Sequence, residues 1–181
     1  MDAPAIQRRS LRLRNYDYSQ SGAYFVTLCV QNKICLLGDI SEGILNLNTC
    51  GQLTRDAWLW LARQYAYVAL DEFVVMPNHL HGILIIDSRR GGSRTAFQDA
   101  EGRSRTAPRK TKPLGSLIAA FKTVSAKSVN TQRFTPGAAL WQRNYYEHVI
   151  RNETDLARIR EYIQNNPAQW ALDEENPDHP S

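Results

Sequence analysis

Two histidines stand two residues apart in His79-Leu80-His81, at the start of an apolar run that ends at Ile86. Side chains at positions i and i+2 of a β-strand leave from the same face. Both imidazoles can therefore reach one ion while Leu80 points into the core. Imidazole binds Mn, Zn, Fe or Ni, and an added oxygen ligand favours Mg²⁺ or Mn²⁺. The alternative is a pair of histidines on a solvated sheet face.

A tyrosine and an asparagine share one face of the last predicted helix. This helix runs from the N-cap candidate Asn152 to Asn165 or Asn166, where Pro167 stops it. At about 100° per residue, Tyr162 and Asn166 lie close to its apolar stripe, and their i and i+4 spacing makes them neighbours. The alternatives are a tyrosine at the edge of the core and an asparagine that only ends the helix.

These four side chains together suit phosphodiester transfer. A tyrosine hydroxyl, with a pKa of about 10, is a weak nucleophile. It needs a cation that polarises the phosphate and stabilises the charge on its oxygens. A covalent phosphotyrosine conserves the bond energy, so that a strand can be rejoined without ATP. The nearest carboxylates before the histidines are Asp71 and Glu72, and the lack of a closer one favours transfer over hydrolysis by water.

Hydrophobic periodicity predicts the elements that must position these residues. Thr49 and Gln52 have the spacing of a capping box at the start of the first helix. The order β-α-β-β-α-β-α predicts an α+β fold, a ferredoxin-like sandwich with an antiparallel sheet and helices packed on one face. The predicted strands are 24–31, 68–76, 79–86 and 140–150, the helices are 49–64, 114–130 and 152–166, and a short hairpin lies within 38–48.

Composition predicts one globular domain with short extensions. The chain has 181 residues, of which 43% are hydrophobic. No run approaches the roughly 18 apolar residues of a membrane span, and the basic N-terminus lacks the apolar stretch of a secretory signal. We expect a basic arm at 1–22, the domain at 23–170 and an acidic tail at 171–181. Cysteines without metal-finger spacing predict thiols in a reducing cytoplasm.

Positive charge is concentrated in residues 88–113, which read as a flexible loop inserted into the domain because they are rich in Gly, Ser, Arg and Pro. From 88 to 112, eight basic residues stand against two acidic ones, a net charge of +6 in a chain of +4. A local basic stripe indicates a phosphate backbone as partner, the alternative being a solvated linker. The candidates for DNA contact are Lys122, Trp141, Arg143, His148, Arg94 and Arg105, with Trp141 alternatively in the core.

Three blocks of the sequence resemble a known family when they are taken together and in this order. They are MPNHLHGILI (76–85), LWQRNYYEHVIRNE (140–153) and IREYIQNNP (159–167). They are similar to the single-tyrosine HUH transposases, named for histidine, hydrophobic residue, histidine. The Tyr-x-x-x-Asn-Pro ending resembles the REP-associated tyrosine transposases, and the likeness extends from about Tyr24 to Pro167.

The resemblance implies an endonuclease and strand transferase that acts in DNA transposition and recombination. Tyr162 would be the nucleophile that keeps the 5′ end, and His79, His81 and Asn166 would bind Mg²⁺ or Mn²⁺. The substrate would be single-stranded DNA beside a foldback hairpin, in the bacterial cytoplasm and nucleoid. The protein would be a monomer or a homodimer without a membrane partner. An inactive hairpin-DNA-binding module and a metal-dependent nuclease that uses water are the alternatives.

Overall fold

The structure is a computed structural model that describes residues 20–87, 89, 97–98, 104–105, 111–173 and 175–177. No helix among these residues is both long and apolar enough to span a membrane. In chain order the elements are β1 (Gly22–Cys29), β2 (Gly38–Ser41), β3 (Ile44–Leu47), α1 (Thr49–Gln64), β4 (Val68–Val75), β5 (His79–Ile86), β6 (Phe97–Gln98), β7 (Ser104–Arg105), α2 (Leu114–Gln132), β8 (Tyr146–Ile150) and α3 (Glu153–Asn165).

The four longer strands form one antiparallel sheet in the order β4-β5-β1-β8. The strand β1 lies at its centre between β5 and β8, and a β-bulge interrupts the pairing of β4 with β5 between Leu70 and Phe73. The helices α1 and α2 connect these strands as in a β-α-β-β-α-β unit. The α+β fold with an antiparallel sheet and packed helices is therefore confirmed.

The helices cover both faces of this sheet, so the prediction that they pack on one face is wrong for α3. The main core lies between α1, α2 and one face, with Trp58 and Phe121 at its centre. A second apolar cluster joins α3 to the opposite face, where Ile159 and Ile163 pack against Phe25 of β1 and against β5. The run of β5 is apolar almost throughout because both of its faces are covered.

The start of α1 differs from the predicted capping box. Asn48 is the N-cap, and its side chain accepts a hydrogen bond from the backbone N–H of Gly51 at 3.0 Å. Thr49 is already the first helical residue, so its spacing to Gln52 does not form the cap. At the start of α3 the prediction of an Asn152 cap is confirmed, because its side chain accepts from a backbone N–H in the first turn.

Two further segments differ from the sequence prediction. The strand expected at 140–150 is reduced to β8, and Trp141 before it makes only an isolated bridge to Val30. In the 88–113 loop, β6 and β7 pair antiparallel, where no fixed structure was expected. The rest of that loop lies outside the described residues apart from 89 and 111–113. The three cysteines are thiols and not disulfides.

Candidate active and metal site

The two histidines of β5 lie side by side on the face of the sheet that α3 covers. Their Nε2 atoms are 3.0 Å apart, and His79 and His81 are 0% and 3% exposed. Leu80 between them is buried in the main core on the other face, as strand alternation requires. The Nδ1 atom of His81 lies 2.9 Å from the hydroxyl of Thr27 on β1, which orients the ring.

The carboxamide of Asn78 fixes the orientation of His79. Its Nδ2 donates to the carbonyl oxygens of Lys33 at 2.9 Å and Glu175 at 2.6 Å. Its Oδ1 must therefore be the atom that faces Nδ1 of His79, at 2.9 Å. Because an amide oxygen can only accept, Nδ1 of His79 carries the proton in the neutral ring, and the lone pair lies on Nε2. Such a contact orients a ring that binds a metal.

Tyr162 on α3 stands next to this pair. Its hydroxyl oxygen is 3.3 Å from Nε2 of His81. Its ring makes edge contacts with His81 and with Phe25, at centroid distances of 5.1 and 6.0 Å. The residue is 36% exposed, so these contacts hold the ring while part of the side chain stays accessible to solvent.

Asn166 follows the last residue of α3 and turns its side chain inward. It is 3% exposed, whereas the neighbouring Asn165 is exposed. Its Nδ2 donates to a carboxylate oxygen of Asp173 at 3.2 Å. Its Oδ1 is buried and has no hydrogen-bond partner among the described residues. A buried oxygen without a partner costs about 1–3 kcal/mol and calls for an explanation such as a bound ion.

Asp173 is the member of this cluster that sequence reasoning missed. Its Oδ2 lies 3.9 Å from Nε2 of His79, although the segment that contains it was expected to be an acidic tail. The view that no carboxylate accompanies the histidines is therefore wrong. The chain after α3 therefore packs back against the histidine pair. The sequence feature that indicates this packing is the aromatic residue Trp170, whose ring lies 6.0 Å from that of His79.

The donor atoms in this cluster fit a divalent cation. One ligand atom from each of His79, His81 and Asp173 lies within 4.8 Å of the other two. Asn166 contacts this group through the hydrogen bond from its Nδ2 to Asp173, and its buried Oδ1 has no partner among the described residues. Two imidazole nitrogens with amide and carboxylate oxygens form a mixed set that suits Mn²⁺ or Mg²⁺.

Charged contacts fix α3, and with it Tyr162, against the sheet. Arg160 binds Asp71 of β4 through two parallel hydrogen bonds, Nε to Oδ1 at 2.7 Å and Nη2 to Oδ2 at 2.6 Å. The hydrogen bond from Arg160 lowers the pKa of Asp71. Asp71, one of the two upstream carboxylates, is thus engaged in holding the helix. At the other end of α3, His148 of β8 lies 2.7 Å from the carboxylate of Asp155.

Lys122 and Trp141, two of the candidates for DNA contact, are engaged within the protein. The Lys122 ammonium donates to three successive backbone carbonyls, of residues 142, 143 and 144, at 2.7, 3.3 and 3.3 Å. Burial lowers the pKa of Lys122 to about 8. Trp141 is 7% exposed, and its indole N–H donates to the hydroxyl of Ser125 at 2.9 Å. Its ring packs against Phe121 in the main core.

Four other candidates for DNA contact were named from the sequence, and the structure describes them to different extents. Arg143 is exposed in the segment that leads into β8, and His148 is partly exposed beside Asp155. The backbone of Arg105 belongs to β7, and Arg94 lies outside the described residues. Of these four candidates, only Arg143 and His148 have side chains that the structure describes, and neither contacts Tyr162 or the two histidines in the described part of the chain.

Comparisons with known proteins agree with the resemblance seen in the sequence, although no family model matches the chain. An uncharacterized protein of Haemophilus influenzae is 41% identical over 172 residues, which cover 92% of each chain. A putative REP-associated tyrosine transposase of the same organism is 26% identical over 161 residues, or 87% of this chain and 77% of that protein.

Two solved structures are also similar. One is a REP-associated tyrosine transposase bound to a REP hairpin, with a TM-score of 0.57 and 20% identity over 89% of this chain and 74% of that chain. The other is a putative transposase from Deinococcus radiodurans, with a TM-score of 0.48 and 18% identity over 84% and 94%. The resemblance is thus confirmed: this chain is similar in sequence to a putative REP-associated tyrosine transposase and shares its fold with a solved one.

Proposed function

We propose that this protein is a metal-dependent enzyme that nicks and rejoins single-stranded DNA through a covalent 5′-phosphotyrosine on Tyr162. The observation that carries the proposal is that Tyr162 lies beside the His79–His81 pair, while Asn166 is joined to the same pair through Asp173. The similarity in sequence to a putative transposase supports a role of this type.

In the proposed reaction the hydroxyl oxygen of Tyr162 attacks the phosphorus atom of a DNA phosphodiester. The new bond joins this oxygen to phosphorus, and the bond from phosphorus to the 3′ oxygen breaks. The tyrosine loses one proton and the departing 3′ oxygen gains one, so that the step is balanced. Attack by a 3′ hydroxyl on the phosphotyrosine reverses the step and joins strands without an external energy source.

The chain's own residues hold this site ready. Phe25 and His81 contact the ring of Tyr162 and fix the direction of its hydroxyl. His79, His81 and Asn166 would hold Mg²⁺ or Mn²⁺, and Asn78 keeps the proton of His79 on Nδ1 so that Nε2 can bind. The bound cation would polarise the phosphate and stabilise the charge that develops on its oxygens.

We propose hairpin-forming single-stranded DNA in the bacterial cytoplasm as the substrate. The solved relative is bound to a REP hairpin, and this chain places a net charge of +6 between residues 88 and 112. Basic side chains bind phosphates of any sequence, so this loop would clamp the hairpin stem. The exposed Arg143 adds a cation near Cys29, the last residue of β1. Its neighbour Gln142 lies there because its backbone N–H donates a hydrogen bond to the Cys29 carbonyl.

A denaturing gel tests the proposal with hairpin DNA labelled at its 3′ end, with and without Mg²⁺ or Mn²⁺. We expect a metal-dependent band in which label migrates with the protein, because the nucleophile keeps the 5′ end of the downstream strand. Tyr162→Phe should abolish this band and leave hairpin binding intact. The control Tyr65→Phe removes a hydroxyl on the other side of the sheet and should retain it.

The position of Asp173 gives some support to a second candidate function, hydrolysis by a nuclease. A carboxylate near metal-binding imidazoles could activate water, and the sequence alone placed none there. The same gel separates the two functions, because hydrolysis yields shorter DNA with no protein attached. Binding without either product, across a panel of hairpins, would instead indicate a binding module that has lost catalysis.

A further inference from the structure

We infer that Asp173 is a fourth protein ligand of the metal site, supplied by the segment that follows α3. The inference rests on the proposed function, in which His79, His81 and Asn166 bind the cation. It adds a negatively charged oxygen to a set of neutral donors. The protein side of the site would then consist of two nitrogens, one amide oxygen and one carboxylate oxygen.

The geometry places Oδ2 of Asp173 among the other donor atoms. It is 3.9 Å from Nε2 of His79 and accepts a hydrogen bond from Nδ2 of Asn166 at 3.2 Å. The facing ligand atoms of the two histidines and Asp173 all lie within 4.8 Å of one another. The Asn166 carboxamide is therefore in direct contact with this carboxylate, and its Oδ1 is buried without a partner among the described residues.

The burial of this carboxylate calls for a positive charge. The Asp173 side chain is 6% exposed, and a buried anion costs several kcal/mol unless it is paired. Among the described residues no lysine or arginine pairs with it, and its donors are the Asn166 amide and the backbone N–H of Glu175. A divalent cation at the histidine pair would supply the missing charge.

The segment around Asp173 is held in place by contacts of its own. The carboxylate of Glu175 lies 3.0 Å from the ammonium of Lys33, and its backbone carbonyl accepts from Asn78 at 2.6 Å. Asn78 is also the residue that orients His79. One side chain therefore links a proposed metal ligand on β5 to the segment that brings Asp173 to the same site.

Calorimetric titration of the full-length protein with Mn²⁺, in the absence of DNA, tests this inference. Asp173→Asn keeps the size and an acceptor for Asn166 but removes the charge, and we expect its Mn²⁺ affinity to fall at least about tenfold. The control Glu161→Gln removes the same charge from an exposed position on α3 and should bind as the wild type does. Unchanged affinity in Asp173→Asn would overturn the inference.

A spectroscopic measurement separates direct binding from mere orientation of Asn166. Asp173→Cys, loaded with Co²⁺, should gain a thiolate-to-cobalt charge-transfer absorption that wild type and Glu161→Cys lack. Weakened Mn²⁺ binding in Asp173→Asn without this band would mean that Asp173 only positions Asn166, and the inference would be wrong. The band also answers the question if Asp173→Asn does not fold.

The same titrations distinguish failure of this inference from failure of the proposed function. If the wild type binds no Mn²⁺, Mg²⁺ or Co²⁺, the proposed metal site itself is wrong. If the wild type binds Mn²⁺ and Asp173→Asn binds it equally well, only the role of Asp173 is wrong, and strand transfer by Tyr162 is unaffected.

Discussion

Asn78 orients His79, and replacing Asn78 should change both the stability of the fold and the affinity for metal. It is 1% exposed and lies just before the histidine pair. Its carboxamide makes three contacts, with Nδ1 of His79 and with the carbonyls of Lys33 and Glu175. Asn78→Ala removes all three and changes nothing that touches the proposed metal or the nucleophile directly.

The expected loss of stability follows from which partners stay buried. His79 and Glu175 are 0% and 2% exposed, so bulk water cannot replace the hydrogen bonds that Asn78 makes with the His79 ring and the Glu175 carbonyl. Lys33 is exposed, and water can replace the lost bond there. At about 1–3 kcal/mol for each of these two buried hydrogen bonds whose partner is removed, Asn78→Ala should lower the free energy of unfolding by about 2–6 kcal/mol.

The same change should weaken metal binding, because it removes the carboxamide oxygen that accepts from Nδ1 of His79 and so favours the proton on that atom. Loss of a group that orients a metal ligand typically costs about 10–100-fold in affinity. Urea unfolding of the metal-free protein and Mn²⁺ titration measure the two effects separately. The control is Asn165→Ala, which removes an exposed carboxamide near the same site. If Asn78→Ala lost no more stability than Asn165→Ala and its Mn²⁺ affinity were unchanged, the reasoning about Asn78 would be refuted.

Three further predictions concern the site and its scaffold. Asn166→Ala should lower the Mn²⁺ affinity about tenfold or more, whereas Asn165→Ala should leave it unchanged. If a titration showed the same Mn²⁺ affinity for both variants, Asn166 would not be a metal ligand. Gly82→Ala should lower the free energy of unfolding, measured in urea, by about 1–3 kcal/mol, because a Cβ there would lie 2.6 Å from the ring of the fully buried Trp58. An unchanged free energy of unfolding would contradict this close packing. The pKa of Lys122 is about 8 in the fold and about 10.4 when unfolded. The unfolded chain therefore binds more protons between these values, and stability should rise with pH over this window. Lys122→Met should abolish that rise, and an identical pH profile in urea unfolding would show that Lys122 is not its source.

Local pattern was enough to predict the part of the site that lies within single elements. The alternation along β5 placed His79 and His81 on one face, and the helical period of α3 placed Tyr162 and Asn166 together. These predictions succeeded as geometry because each pair is separated by two or four residues in a regular element. Their roles in binding and catalysis stay predictions.

The sequence failed where the outcome depends on tertiary packing. The apolar stripe of α3 does not tell which face of the sheet the helix covers. The sequence feature that was not used is the nearly continuous apolar run of β5, which indicates a strand buried on both faces. Asp173 reaches His79 across more than ninety residues, and no spacing rule connects them. The side chains of Trp141 and Lys122 suit either DNA contact or the edge of the core, and the sequence cannot decide between these two roles. The structure shows contacts within the protein, from Trp141 to Ser125 and from Lys122 to backbone carbonyls.

The most direct test of the central claim is to map the covalent bond to DNA. Trypsin cuts after Arg160, and residues 161–181 stay together in one peptide because they contain no lysine or arginine, with Tyr162 as their single tyrosine. After reaction with hairpin DNA and Mn²⁺, followed by nuclease and trypsin digestion, we predict by mass spectrometry that this peptide carries a nucleotide joined through its 5′ phosphate. An unmodified 161–181 peptide beside cleaved DNA, or a nucleotide on a peptide containing another of the eight tyrosines, would contradict Tyr162 as the nucleophile.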